Sequence, residues 1–159
     1  MNIVIIGYGR MGKEIENVAA ERGHNIILTN DKGEDEKFNT QEFQNADVAI
    51  EFSIPETAVS NYKKCFANNI PVVSGTTGWL DYYDEVISNC KKNNGGFFYA
   101  SNFSLGVNMF FEINRRLAEL LNKHSSYDVS IEEIHHSEKL DAPSGTAISL
   151  ANDIIDRLD

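Results

Sequence analysis

The first apolar run, Ile3 to Ile6, stops at Gly7, and from Met11 to Arg22 the residues Met11, Ile15, Val18 and Ala19 recur at helical spacing. This predicts strand, tight turn, helix. A second run, Ile26 to Leu28, follows Gly23 closely, so the two strands are expected to be parallel neighbours in a βαβ unit. The polar stretch from Asn30 to Asn45 reads as a loop with a weak helix, Val48 to Phe52 as a third strand, and Pro55 suits the start of a helix over 56–68. Pro71 to Ser74, Leu80 to Lys92 and Gly96 to Ala100 continue as strand, helix and strand. Val107 to Asn122 predicts a longer helix, and Val129 to Ile134 alternates like a strand of different character. Gly145 to Leu158 puts Ala147, Leu150, Ala151, Ile154, Ile155 and Leu158 on one helical face. The alternation predicts an α/β fold over residues 1–127, followed at 128–159 by the start of an incomplete α+β domain. No internal repeat or low-complexity tract interrupts it.

With 159 residues, 42% of them hydrophobic, the chain suffices for one well-packed core and a small appendage. A net charge of -10 and a pI near 4.8 argue against unaided binding to nucleic acid or an anionic membrane, which would repel the chain at long range. Any anion must therefore be caught locally. Cys65 and Cys90 are far apart and lack a CxxC or histidine-rich partner motif, so reduced, buried thiols are expected. Met1 leads directly into Ile3–Ile6 without the basic start and cleavage site of a signal peptide, and no apolar run reaches membrane-spanning length; a cytoplasmic location is expected.

Gly7, Gly9 and Gly12 form G-x-G-x-x-G between a predicted strand and helix, where absent side chains permit a tight turn and close approach of a pyrophosphate. Backbone N–H groups at the helix start supply the attraction that the net charge withholds. Three glycines can also serve a plain turn; the βαβ context argues for a dinucleotide and a Rossmann-type, doubly wound parallel sheet. Just beyond the second strand, Asp31 can accept hydrogen bonds from a ribose, whereas Lys32 or Arg10 can favour a 2′-phosphate, so NADH and NADPH both stay open. A solvated turn explains Asp31 and Lys32 equally. At the ends of later strands lie Glu51, Phe52 and Ser53, then Gly75, Thr76, Thr77 and Gly78, then Ser101, Asn102 and Phe103, all placed to meet a nicotinamide and its ribose. Phe52 reads equally as core, the glycines as a turn, and Trp79 as packing under the adjacent loop.

The segment from Glu132 to Ala147 is far richer in acid–base groups than an ordinary connector. His135, His136 and Lys139 offer a proton donor and a cation, and Ser144, Gly145 and Thr146 open a helix whose N–H groups can hold a carboxylate. A small dianionic substrate suits that set. Adjacent histidines on a strand point to opposite faces, so a metal site with Glu132 and Glu133 carries little weight. Singly, His135 reads as a structural histidine, Lys139 as surface charge and Ser144 as a helix N-cap.

His-His-Ser-Glu-Lys-Leu-Asp-Ala-Pro-Ser-Gly-Thr-Ala at 135–147 resembles the signature of the dihydrodipicolinate reductase family. Gly-Tyr-Gly-Arg-Met-Gly at 7–12, Glu-Phe-Ser at 51–53, Gly-Thr-Thr-Gly at 75–78 and Ser-Asn-Phe-Ser-Leu-Gly-Val-Asn at 101–108 are similar to its cofactor-side motifs, in the same order. The resemblance implies hydride transfer from NADH or NADPH to a cyclic dicarboxylate imine. Through it, His135 is implied as proton donor, Lys139 as its assistant and a substrate ligand, and His136, Gly145 and Thr146 as carboxylate holders. Arg10 and Met11 are implied at the cofactor, although many members carry one more residue in this loop. Members continue well beyond Asp159 with the rest of a substrate domain and a sheet that usually builds a tetramer. A natural short form and a truncated chain both fit, and a non-catalytic dinucleotide-binding remnant is the alternative. A Rossmann dehydrogenase with a cysteine nucleophile ranks last, because Cys65 and Cys90 fall in predicted helices.

Overall fold

The structure, a computed structural model, describes residues 1–135, 137 and 142–158. The chain divides into two compact units, Met1–Ser101 and Asn102–Asp159. In the first, strands β1 (Asn2–Ile6), β2 (Asn25–Asn30), β3 (Val48–Glu51), β4 (Val72–Ser74) and β5 (Phe97–Tyr99) form one parallel sheet in the order β2-β1-β3-β4-β5. β1 is an interior strand, between β2 and β3, and its alternate residues enter two different cores: Val4 and Ile6 on one face, Ile3 and Ile5 on the other. All four are buried, which is why this strand reads as a continuous apolar run.

Helix placement follows from strand order. From β1 the chain crosses to β2 in one direction, and from β3 through β4 to β5 in the other. Right-handed crossovers therefore put α1 (Arg10–Glu21) on one face and α3 (Pro55–Ala67) and α4 (Tyr83–Lys92) on the opposite one. Ala19 of α1 packs with Ile3 and Ile5, whereas Ala58, Tyr62, Cys65 and Phe66 of α3 and Val86 of α4 pack with Val4, Ile6 and Ala49. This is the doubly wound, Rossmann-type sheet expected from sequence.

The polar stretch 30–45 is more ordered than the expected loop. A 3-10 turn (Asp35–Asn39) and the short helix α2 (Gln41–Gln44) are pinned by Phe38 and Phe43, both buried and in edge contact with ring centroids 5.1 Å apart. Trp79 is buried under its loop, its Nε1 donating to the Thr76 carbonyl at 2.8 Å. A second 3-10 turn (Leu80–Tyr82) then leads into α4. Both cysteines are free and buried, and burial pushes the Cys65 thiol up, away from a reactive thiolate.

The second unit contains α5 (Leu105–Leu121) and α6 (Gly145–Ile155), capped by Ser104 and Ser144. Asn114 Nδ2 donates to the Leu150 carbonyl at 3.0 Å, and Arg115 pairs with Asp153 at 3.2 Å. One expectation needs correction here. Residues 129–134 form no strand; an alternating pattern makes a strand only when a neighbouring edge accepts its ladder hydrogen bonds, and Ile131 and Ile134 stay exposed. The two compact units meet at Ser101/Asn102, and α5 packs with α6 within the second. Among the described residues no helix is long and apolar enough to cross a membrane.

Candidate functional site

The sheet reverses its winding between β1 and β3, and the loops leaving their carboxyl ends cannot follow one another across the edge. A cleft of about 320 Å³ opens there, lined among others by Gly7, Gly9, Asp31, Lys32, Phe52 and Ser53. Gly7 has φ +89°, and a Cβ on it would lie 2.1 Å from the Phe52 carbonyl oxygen, so only glycine fits. Its N–H donates to the Asn30 carbonyl at 2.8 Å, tying the turn to β2. A Cβ on Gly12 would lie 2.3 Å from the Gly7 carbonyl oxygen; this glycine lets α1 sit down on the turn. Gly9 differs from both. A Cβ there would meet nothing within 4 Å, and Gly9 is the N-cap of α1 with no capping side chain and no acid in the first turn. The helix start is thus bare toward open space, the condition for binding an anion on backbone N–H groups.

The loop after β2 holds itself in place. Asp31 Oδ1 accepts from the Lys32 amide at 2.8 Å, and the Asp31 amide donates to Glu34 at 2.8 Å. Lys37, 2.7 Å from Glu34, holds that carboxyl below the usual range through its hydrogen bond. Asp31 and Lys32 both line the cleft; Arg10 and Met11 lie exposed in the first turn of α1.

Phe52 lines the same cleft and packs against the next loop: a Cβ on Gly75 would lie 2.1 Å from its ring. Thr76 is turned inward and buried, its Oγ1 accepting from the Ser53 amide at 2.8 Å, while Thr77 is exposed. Ser101 is exposed at the end of the first unit. Asn102 begins the second, where its Oδ1 accepts from the Ser104 amide at 2.8 Å ahead of α5, and Phe103 is exposed.

In the second unit, Ser144 caps α6, its Oγ accepting from the Ala147 amide at 3.0 Å. Glu133 reaches the same place: one oxygen accepts from the Ser144 amide at 2.8 Å and the other from the Ser144 hydroxyl at 2.6 Å. The second oxygen also lies 3.3 Å from His135 Nε2. The Ser144 hydroxyl above all, then its amide, holds the Glu133 carboxyl below the usual carboxylate range. Ser144 is therefore engaged as a cap, and Gly145 and Thr146 form the rest of the first turn. His136 and Lys139 lie outside the described residues.

Sequence reasoning placed Gly7, Gly9, Asp31 and Phe52 at the cofactor, and the fold brings these four to one cleft. It did not find the Glu133–His135–Ser144 link. The available signal was the two-residue spacing of Glu133 and His135, which puts both on one side of an extended chain.

A family model described as "Dihydrodipicolinate reductase, N-terminus" matches residues 1–103, and one described as "Dihydrodipicolinate reductase, C-terminus" matches residues 106–159. The chain is 52% identical over 157 residues to a 4-hydroxy-tetrahydrodipicolinate reductase of Christiangramia forsetii, covering 99% of this chain and 65% of that protein. Identity to the enzyme of the same name in Methanobrevibacter smithii is 38% over 146 residues, covering 91% and 50%. A solved structure of dipicolinate-bound dihydrodipicolinate reductase from Paenisporosarcina superposes with a TM-score of 0.70 at 25% identity, over 99% of this chain and 66% of that one. The chain thus spans between half and two thirds of the length of these relatives. With both family regions matched in order along nearly its whole length, the chain belongs to the dihydrodipicolinate reductase family.

Proposed function

We propose that this chain carries the dinucleotide-binding unit and the proton-donating segment of an NAD(P)H-dependent reductase of 4-hydroxy-tetrahydrodipicolinate, on the diaminopimelate route to lysine. Family membership supports the substrate class, and the Paenisporosarcina relative binds dipicolinate, a planar dicarboxylate. The observation that carries the reading is the glycine turn at the β1/β3 reversal, with space filled at Gly7 and Gly12 and open at Gly9. When bound, the nicotinamide supplies the hydride.

The protein's own part is positioning and protonation. The Gly9 turn and the bare start of α1 receive the pyrophosphate, while Asp31 and Lys32 address the adenosine ribose. Both signs of charge at that ribose suit use of NADH and NADPH alike, so Asp31→Asn should weaken NADH selectively and Lys32→Ala should weaken NADPH. Phe52, Gly75, Thr76 and Thr77 serve the nicotinamide end, with Ser101, Asn102 and Phe103. Loss of the 4-hydroxyl as water gives the unsaturated imine; hydride addition to it leaves an electron-rich enamine that must take a proton, and His135 donates it. Glu133 steadies that imidazole against the start of α6, where Gly145 and Thr146 hold a substrate carboxylate; the family resemblance assigns His136 and Lys139 to the same task.

The test is loss of nicotinamide absorbance when the purified chain meets either reduced cofactor and freshly generated substrate, against an enzyme-free control. Turnover supports the full reading. Cofactor binding without turnover would reduce it to a dinucleotide-binding unit, and absence of both would overturn it.

A further inference from the structure

Glu51 ends β3 and is fully buried, among aromatic and aliphatic side chains of the core. Burying a carboxyl group is costly unless its oxygens are hydrogen-bonded, so the identity of its donors tells what the group is for. One oxygen accepts from the Ser53 hydroxyl and, at 3.2 Å, from the Ser53 amide. The other accepts from the Ser74 hydroxyl at 2.7 Å. Ser74 ends β4, is itself fully buried, and is joined to the Tyr62 hydroxyl of α3 at 2.7 Å. The Ser74 hydroxyl also accepts from the Thr76 amide at 3.3 Å, and Thr76 Oγ1 takes the Ser53 amide at 2.8 Å.

The donors to Glu51 thus come from the loop after β3 and from the end of β4, and Thr76 of the β4 loop is tied to both of them. The β3 loop contributes Phe52, Ser53 and Ile54 to the wall of the cleft, and the Phe52 ring lies against Gly75 of the β4 loop. An apolar residue at position 51 would fill the same volume without the burial cost, but it would leave the buried Ser74 hydroxyl short of an acceptor and would loosen Ser53. Its burial keeps this carboxyl group from the contact with nicotinamide expected at the end of the third strand, and the chemistry proposed above does not use it.

We propose that Glu51 is a positioning residue for the bound dinucleotide: by holding Ser53 and Ser74 on its two oxygens it sets the spacing of the loops after β3 and β4. It acts on cofactor affinity without touching the cofactor. The proposal rests on the dinucleotide reading of the cleft.

The experiment titrates the full chain with NADH and with NADPH by calorimetry, well below the melting temperature of every variant. Glu51→Gln keeps the shape but turns one acceptor into a donor facing a donor, and should weaken cofactor binding about tenfold, as loss of a hydrogen bond to a carboxylate does. Ser74→Ala, a smaller change, should weaken it in the same direction by less. Val86→Ala in α4 is the control for stability alone, since it empties space in the same core away from the cleft; it should lower the melting temperature and leave affinity unchanged. If Glu51→Gln and Ser74→Ala lower the melting temperature like Val86→Ala yet bind as the parent does, Glu51 is only structural and the proposal falls. Should Glu51→Gln fail to fold, Ser74→Ala alone decides. A parent chain that binds neither nucleotide would instead overturn the dinucleotide reading itself.

Discussion

The two units bury their apolar residues very differently. In the first, β1, β3, α3 and α4 enclose large side chains: Phe43, Tyr62, Phe66, Trp79 and Val86 are all at 1% exposure or less. In the second, the buried residues of α5 and α6 are Ala118 and Ala147, while Phe110, Ile113, Leu117 and Ile155 are more than half exposed. A parallel sheet buries both its faces under its own crossover helices, so it completes a core within 101 residues. The helices α5 and α6 meet through Asn114 and Leu150, Arg115 and Asp153, and, just past the end of α6, Glu119 and Arg157, and leave most of their large apolar side chains exposed. The lesson is that the glycine-turn cleft rests on a well-buried scaffold, whereas the segment around His135 rests on a few polar links such as Glu133 to Ser144.

The sharpest way to break this contrast is at the glycine turn. Gly12→Val would place side-chain atoms where the Gly7 carbonyl already sits 2.3 Å from a bare Cβ. Nucleotide binding should vanish by calorimetry and the melting temperature should fall; retained binding would refute the cradle. His135→Gln tests the other unit, where turnover should drop ~10²–10⁴-fold with cofactor affinity retained, the range typical for losing a general acid. Equal loss of binding and turnover would remove that role.

Packing energies should follow the same division. Phe66→Ala, at a fully buried site, should cost ~3–5 kcal/mol in denaturant unfolding. Phe110→Ala, at 52% exposure, should cost about 0.5 kcal/mol or less. Similar losses at the two positions would mean that the second unit packs as tightly as the first.

The smallest effect concerns pH. Glu133 is depressed below its ordinary value, so the Glu133–Ser144 link is fully present above the pKa of a glutamate in an unfolded chain and is lost as pH falls through the lower folded value. The Ser144 amide resonance should titrate with a midpoint below the usual glutamate range, and Glu133→Gln should abolish that titration. A midpoint in the usual range would show that the link is not maintained.

Features carried by neighbouring residues were legible in the chain. Gly7, Gly9 and Gly12 announce the turn because backbone conformation and close approach are local demands. The Ile3–Ile6 run announces a strand buried on both sides. Phe38 and Phe43 were harder to read: five residues apart in a polar stretch, they pattern like neither helix nor strand, and only their contact reveals two short turns. The alternation at 129–134 misled for the converse reason, since pattern specifies which face is apolar and a partner edge specifies the strand.

By itself, then, the sequence determined the five strands of the parallel sheet and the main helices, the glycine turn, and the motifs that mark the family, all of which depend on residues close along the chain. Tertiary structure alone decided which acids matter. Glu51 meets Ser74, 23 residues on, and Glu133 meets Ser144, 11 residues on. A carboxyl group's role is set by all the donors that surround it after folding; its near neighbours Ser53 and His135 supply only part of each set, and the distant partners appear only in the fold.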